Sequence, residues 1–142
     1  MKDAYSKYRE ANVDTADQCK LILIAYDIAI KNCKLALEKF KDKGLIEERT
    51  KHLLKVQDAV TELMSALQLD VGPIAENLYK LYDYMLRRLI HANAHSESKP
   101  GEEVLGHLLE LRDAWNDAIT QLKNVQAAPP AQQQPQSIAI TG

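Results

Sequence analysis

The sequence predicts an all-α fold, an antiparallel four-helix bundle. Three observations carry this. The five glycines and five prolines of the 142-residue chain cluster at boundaries, leaving long stretches of helix formers between them. Within each stretch, apolar residues recur at three- and four-residue spacing, the period of one helix face. The alternating pattern of strands is nearly absent. A chain of this length fits one domain. It buries roughly two thirds of the surface its unfolded form exposes, enough for a core.

The elements follow in order. Residues 1–14 are short, with room for one or two helical turns through Ala4, Tyr5 and Tyr8. Thr15 followed by Gln18 reads as a capping box, so the first long helix starts there. It runs to about Asp42, with Gly44 as its stop. The second helix runs from about Ile46 to Leu69. Gly72-Pro73 opens the third, because proline's missing N–H costs nothing in a first turn. That helix continues to about His95, and Ser96 to Gly101 reads as a linker. Glu102 and Glu103 suit the positive end of a fourth helix, which ends near Gln126. Residues 127–142 contain Pro129-Pro130, Gln132-Gln133-Gln134 and Pro135. They bury too little to offset ordering and are expected to be disordered. The chain thus divides into a cap segment 1–14, a bundle 15–126 and a tail 127–142.

Each helix has an apolar seam. In the second it is Ile46, Leu53, Val56, Val60, Leu63, Leu67. In the third it is Ile74, Leu78, Leu81, Met85, Ala92, and in the fourth Val104, Leu108, Leu111, Trp115, Ala118, Leu122, Val125. The first helix exceeds this. One seam is Cys19, Leu23, Tyr26, Ile30, Cys33, Leu37, Phe40; a second is Leu21, Ile24, Ile28, Leu35. A step of ~100° per residue places the two on nearly opposite sides. Only Lys20, Asp27, Lys31, Lys34 and Glu38 form a polar strip. The third helix has an extra set as well: Tyr79, Tyr82, Leu86 and Leu89. A bundle helix needs one apolar stripe. The surplus is either enclosed by the chain's own neighbouring elements or offered as a groove to an amphipathic partner helix.

Charge and cysteine content narrow the function. Lys plus Arg number 18 and Asp plus Glu 20, a net charge of -2 without a long basic run, so nucleic acid is not an expected partner. Cys19 and Cys33 lie ~21 Å apart along one helix, beyond the ~7 Å limit of a disulfide. Free buried thiols suit a reducing compartment, and no run reaches the ~18 apolar residues of a membrane span. The sequence therefore reads as cytoplasmic.

Catalytic chemistry finds little footing, and no cofactor or metal is implied. His91 and His95 have i, i+4 spacing, but no Glu-x-x-His motif occurs in any helix. Glu47-Glu48 and Glu102-Glu103 sit at helix starts, where the dipole explains them. There is no Gly-rich phosphate loop or nucleophile elbow. His52-Leu53-Leu54-Lys55 faintly resembles the histidine phosphotransfer motif, with Val56 in place of the small residue expected after the lysine. A phosphotransfer bundle using His52 is the alternative to a binding module.

A family resemblance favours the binding module. Ala4-Tyr5, Val13, Thr15-Ala16, Leu21-Ile22 and Tyr26-Asp27 resemble the amino-terminal signature of the flagellin-specific export chaperones, the FliS family. Gln57-Asp58 and Glu62-Leu63-Met64 fit its second helix. The run from Leu81 to Asn93, with Tyr82-Asp83-Tyr84-Met85 and Arg87-Arg88-Leu89, is similar to its strongest block. Glu102-Glu103-Val104 and Leu111-Arg112-Asp113-Ala114-Trp115 fit its last helix. One departure is Asp17-Gln18, where the family commonly has a proline after Ala-Ser. The resemblance implies a four-helix bundle with a short amino-terminal capping helix. It implies a cytosolic chaperone, not an enzyme, that binds the disordered carboxyl-terminal segment of flagellin. Such a chaperone prevents premature polymerisation and assists export for flagellum assembly. The implied partners are flagellin and the cytoplasmic domain of the flagellar export gate. A homodimer stays open. The receiving surface is expected at Leu21, Ile24, Ile28, Leu35, Tyr79, Tyr82 and Leu86, with Tyr5 and Tyr8 on the cap and Tyr5 as the docking switch.

Overall fold

The computed structural model describes residues 15–68 and 72–127, with the side chains of residues 15, 126 and 127 left aside. The expected cap segment, Tyr5, Tyr8, the side-chain cap at Thr15 and the tail beyond residue 127 lie outside what is described. Four α-helices make the bundle: α1 (Thr15–Glu38), α2 (Ile46–Ala66), α3 (Pro73–His95) and α4 (Ser98–Ala127). α1 packs on α2 and α4, and α3 packs on the same two, so α1 and α3 face each other across the diagonal. Tyr26, Cys33, Val56, Val60, Tyr82, Met85, Leu89, Val104 and Leu108 form the centre of the core. This is the all-α four-helix architecture that the periodicity predicts.

α2 ends at Ala66, three residues before the expected Leu69, and two joins differ more in kind. α1 stops at Glu38, four residues earlier than predicted, and two 3-10 turns (Lys39–Lys41 and Lys43–Leu45) lead into α2. Gly44 is not a left-handed stop. It sits in the second turn, where its N–H donates to Asp42 Oδ1 at 2.8 Å. The second difference is at α4, which begins at Ser98 and takes Pro100 and Gly101 into its first turn. Proline lacks the N–H that a first turn leaves unpaired, so this segment is helical and no linker. Gly101 is buried against α1: an added Cβ would meet Leu37 Cδ2 at 3.0 Å. Its carbonyl accepts from the Cys33 thiol at 3.6 Å. Burial pushes that thiol up to about 12, so Cys33 stays protonated.

Gly72-Pro73 does open α3, with Gly72 at φ 140°, a conformation that glycine alone adopts readily. α3 ends at Ser96 in the left-handed region, and the N–H of Glu97 returns to the carbonyl of Ala92 at 3.0 Å. Its last turn is also held from α2. Arg49 is 2% exposed and occupies the core seam one turn before Leu53. Its Nε donates to Asn93 Oδ1 at 2.9 Å, and its Nη2 donates to Asn93 O at 3.1 Å and Ser96 Oγ at 3.3 Å. The Phe40 ring lies 4.4 Å from the guanidinium carbon. The buried charge thus meets the negative end of the α3 dipole and an aromatic face. Ile46, assigned to this seam from the sequence, is exposed, and Arg49 takes its place.

A second polar contact crosses the core. The hydroxyls of Tyr26 (α1) and Tyr82 (α3) share a hydrogen bond of 2.5 Å. Burial pushes both phenols above the ordinary tyrosine range, with a smaller opposing effect from the Trp115 indole. Each hydroxyl satisfies the other where water is excluded.

Two stability measurements test these contacts. Arg49→Met is expected to lower the stability of the fold by about 2 kcal/mol, read as a lower urea midpoint at unchanged slope. Arg49→Lys should recover little, because an ammonium does not reproduce the planar fork. A midpoint equal to wild type would remove the arginine from the account. For the tyrosines, Tyr26→Phe and Tyr82→Phe should each cost about 1 kcal/mol, with the double variant costing less than the sum. Strict additivity would show that the pair is not coupled.

Candidate functional site

The burial pattern of α1 shows which of its apolar residues stay partly open. Ala25, Tyr26, Ala29, Cys33 and Ala36 are buried against neighbouring helices, and Lys20, Asp27, Lys31, Lys34 and Glu38 are exposed. Between these arcs lie Ile24, Ile28 and Leu35, all half-buried. At ~100° per residue their directions fall within about 40° of one another, so they make one rim along the helix. Ile28 also packs on the core cluster, whereas Ile24 and Leu35 stand outside it. The rim borders α2. Asn32, one turn after Ile28, donates to the Ile28 carbonyl at 2.9 Å and turns its Oδ1 to His52 Nδ1 at 3.0 Å. His52 is thereby the donor. Burial, then Lys55 and Lys39, lower its pKa, so it is neutral at pH 7.

The α2–α3 groove offers a second apolar line. Thr50 and Asn93 are hydrogen-bonded, which fixes the register of these antiparallel helices. One turn along from each, at ~1.5 Å per residue, Leu54 and Ile90 come level. They are 52% and 56% exposed, with Leu86 half-buried one turn further and Tyr79 exposed beyond it. Leu54 and Ile90 were not anticipated. Their signal in the sequence is that each is apolar yet lies off its helix's seam.

Two expected surface residues belong elsewhere. Leu21 is 3% exposed and Tyr82 1% exposed. Tyr82 is committed to Tyr26 in the core, and neither residue presents area to a partner in this conformation. The extra apolar set of α3 thus splits. Tyr82 and Leu89 face inward, while Tyr79 and Leu86 stay at the surface.

The outer face of α3 and α4 is polar and interlocked. Glu103 accepts from Tyr84 Oη at 2.7 Å and from Arg88 Nε at 2.8 Å. Those two contacts hold its carboxyl below the usual carboxylate range. Arg112 clasps α4 to α1 through Asp27. The rings of His91 and His95 lie 4.2 Å apart, and Glu97 Oε2 is 3.4 Å from His91 Nε2. Among the described residues, no group of three or more His, Cys, Asp or Glu is arranged to hold a metal ion, and no helix is long and apolar enough to cross a membrane.

Comparison with known proteins identifies the family. The sequence model described as flagellar protein FliS matches residues 1–122. The flagellar secretion chaperone FliS of Bacillus subtilis is 30% identical over 119 residues, 84% of this chain and 88% of that one. The flagellar secretion chaperone FliS of Vibrio cholerae is 27% identical over 136 residues, 90% of this chain and 97% of that one. The Salmonella typhimurium protein of the same name is 50% identical over a shorter stretch of 44 residues. With a match of that extent laid over a four-helix bundle, the chain belongs to the FliS family of flagellar secretion chaperones.

Proposed function

We propose that this chain is a cytosolic chaperone that binds the disordered carboxyl-terminal segment of flagellin as an amphipathic helix. In doing so it prevents premature polymerisation and assists export. The observation that carries the reading is the rim of Ile24, Ile28 and Leu35, three half-buried aliphatic side chains that share one direction on α1, beside its exposed polar strip. The line of Leu54, Leu86, Ile90 and Tyr79 extends the apolar area to the α2–α3 groove. Each aliphatic side chain that a client covers fully contributes roughly 1.5–3 kcal/mol, less for residues already half-buried. Ordering the client costs about 2–5 kcal/mol or more. Several such contacts are therefore needed together, which fits two apolar lines better than one pocket. Tyr5, in residues 1–14, is the proposed switch for docking to the export gate, with Tyr8 beside it on the cap.

The bound state is a complex, and nothing in the reading calls for catalysis. His52 has a structural use in the Asn32 contact, and its neighbours Leu53 and Val56 are core residues. The phosphotransfer alternative gains no observation of its own.

Calorimetric titration with a peptide covering the carboxyl-terminal segment of the same organism's flagellin tests the proposal. Saturable binding with a negative heat-capacity change is expected. Ile24→Asp and Leu35→Asp, checked for unchanged helicity, should each weaken binding about tenfold or more. Normal binding by both variants would move the client off α1. Absence of binding by the wild-type chain, even after removal of residues 1–14, would sink the proposal.

A further inference from the structure

At the end of the bundle where α1 and α3 begin, an open cavity of 460 Å³ lies between the helices. Gln18, Leu67, Pro73, Ile74, Leu78 and Trp115 are among its lining residues, and none of the ten described residues that line it is charged. The volume is in the range of pockets that hold a small ligand. Ile74 at its mouth is 78% exposed, so its apolar surface is open to an occupant of the cavity. α4 continues past this cavity. Residues 120–125 are all exposed, and the helix ends at Ala127, ~18 Å beyond Trp115 at ~1.5 Å per residue.

We propose that the Ile138-Ala139-Ile140 stretch of this same chain occupies the cavity, with the tail doubling back along α4. Three features of the chain support this occupant. Ile138 and Ile140 are the only branched aliphatic residues after Val125, and they stand one residue apart in an otherwise Ala-, Gln- and Pro-rich segment. No Asp, Glu, Lys or Arg follows Lys123, so the segment matches the uncharged described lining. Residues 1–14 are a poorer match, since Lys2, Asp3, Lys7, Arg9, Glu10 and Asp14 would have to be kept clear of it. Reach is sufficient. The ten residues from Ala128 to Ser137 span up to ~33 Å when extended, against the ~18 Å to be retraced. A tether of this length supplies an effective concentration of about millimolar, so a contact too weak to hold a free peptide is populated here. The tail then shields Trp115, Ile74 and Leu78 from unrelated apolar partners.

The test uses the intact chain with isoleucine methyl labelling. Nuclear Overhauser contacts between the δ1 methyls of Ile138 and Ile140 and the Trp115 indole are expected, unchanged on dilution. In the double variant Ile138→Asp/Ile140→Asp, the emission of Trp115, the chain's one tryptophan, should shift to the red. Both substitutions lie beyond α4, so the bundle itself is not altered. Random-coil methyl shifts without contacts to Trp115, and unchanged emission in the variant, would overturn the proposal. So would contacts to the indole from Tyr5 or Tyr8, or contacts that vanish on dilution, which would assign the cavity to residues 1–14 or to a second copy.

Discussion

A helix that is apolar around most of its circumference has to be covered, and α1 imposes that requirement on the rest of the molecule. Two neighbours, α2 and α4, flank it directly, while α3 meets it across the diagonal. α4 comes close at Gly101, where an added Cβ would press on the end of the Leu37 side chain at 3.0 Å. On the α2 side, Asn32 and His52 satisfy each other where the interface would otherwise bury unpaired polar atoms. Four helices cover most of α1 but not its whole circumference. Part of the uncovered remainder is the rim of Ile24, Ile28 and Leu35. The surface proposed for the client is thus part of one hydrophobic requirement that the fold leaves unmet.

The diagonal helix is positioned by polar groups. Arg49 reaches from α2 to the last turn of α3, and Tyr26 meets Tyr82 across the centre. Glu103 ties the outer face of α3 to α4 through Tyr84 and Arg88. Apolar burial drives association but is non-directional, whereas these contacts set register and rotation. The run from Leu81 to Asn93, which carries the strongest family resemblance, takes on a definite meaning here. Tyr82, Met85, Leu89 and Ala92 are core, Arg88 grips Glu103, and Asn93 receives Arg49. Most of that block holds the bundle together, and the client-facing candidates Leu86 and Ile90 are a minority within it.

The four helices were legible because their apolar period spans many turns, and the start of α3 because Gly72-Pro73 has one good local solution. The start of α4 was not. Pro100-Gly101 punctuates a sequence as a linker does, and only the close approach to α1 shows how a glycine fits inside a helix there. The excess of apolar residues on α1 was visible, but the side left open was not. Rotation of a helix by a few tens of degrees decides whether Leu21 or Ile24 is enclosed, and that rotation is set by contacts distant in sequence. Tyr79 and Tyr82 show the same limit: they are three residues apart and ~60° apart around α3, yet one is exposed and the other is core. Arg49 was hidden for a different reason. A charge in the first turns of a helix reads as solvated, and its place on the seam has meaning only once the end of α3 lies beside it.

The central claim is that the half-covered rim of α1 receives the client helix. Methyl spectra of isoleucine-labelled protein, recorded while the flagellin carboxyl-terminal peptide is added, test it most directly. Ile24 and Ile28 lie on the rim, while Ile30 is on the buried side of the same helix and serves as an internal reference. The account predicts saturable shifts at Ile24 and Ile28 with Ile30 nearly unmoved. Saturable binding that leaves Ile24 and Ile28 in place would contradict it.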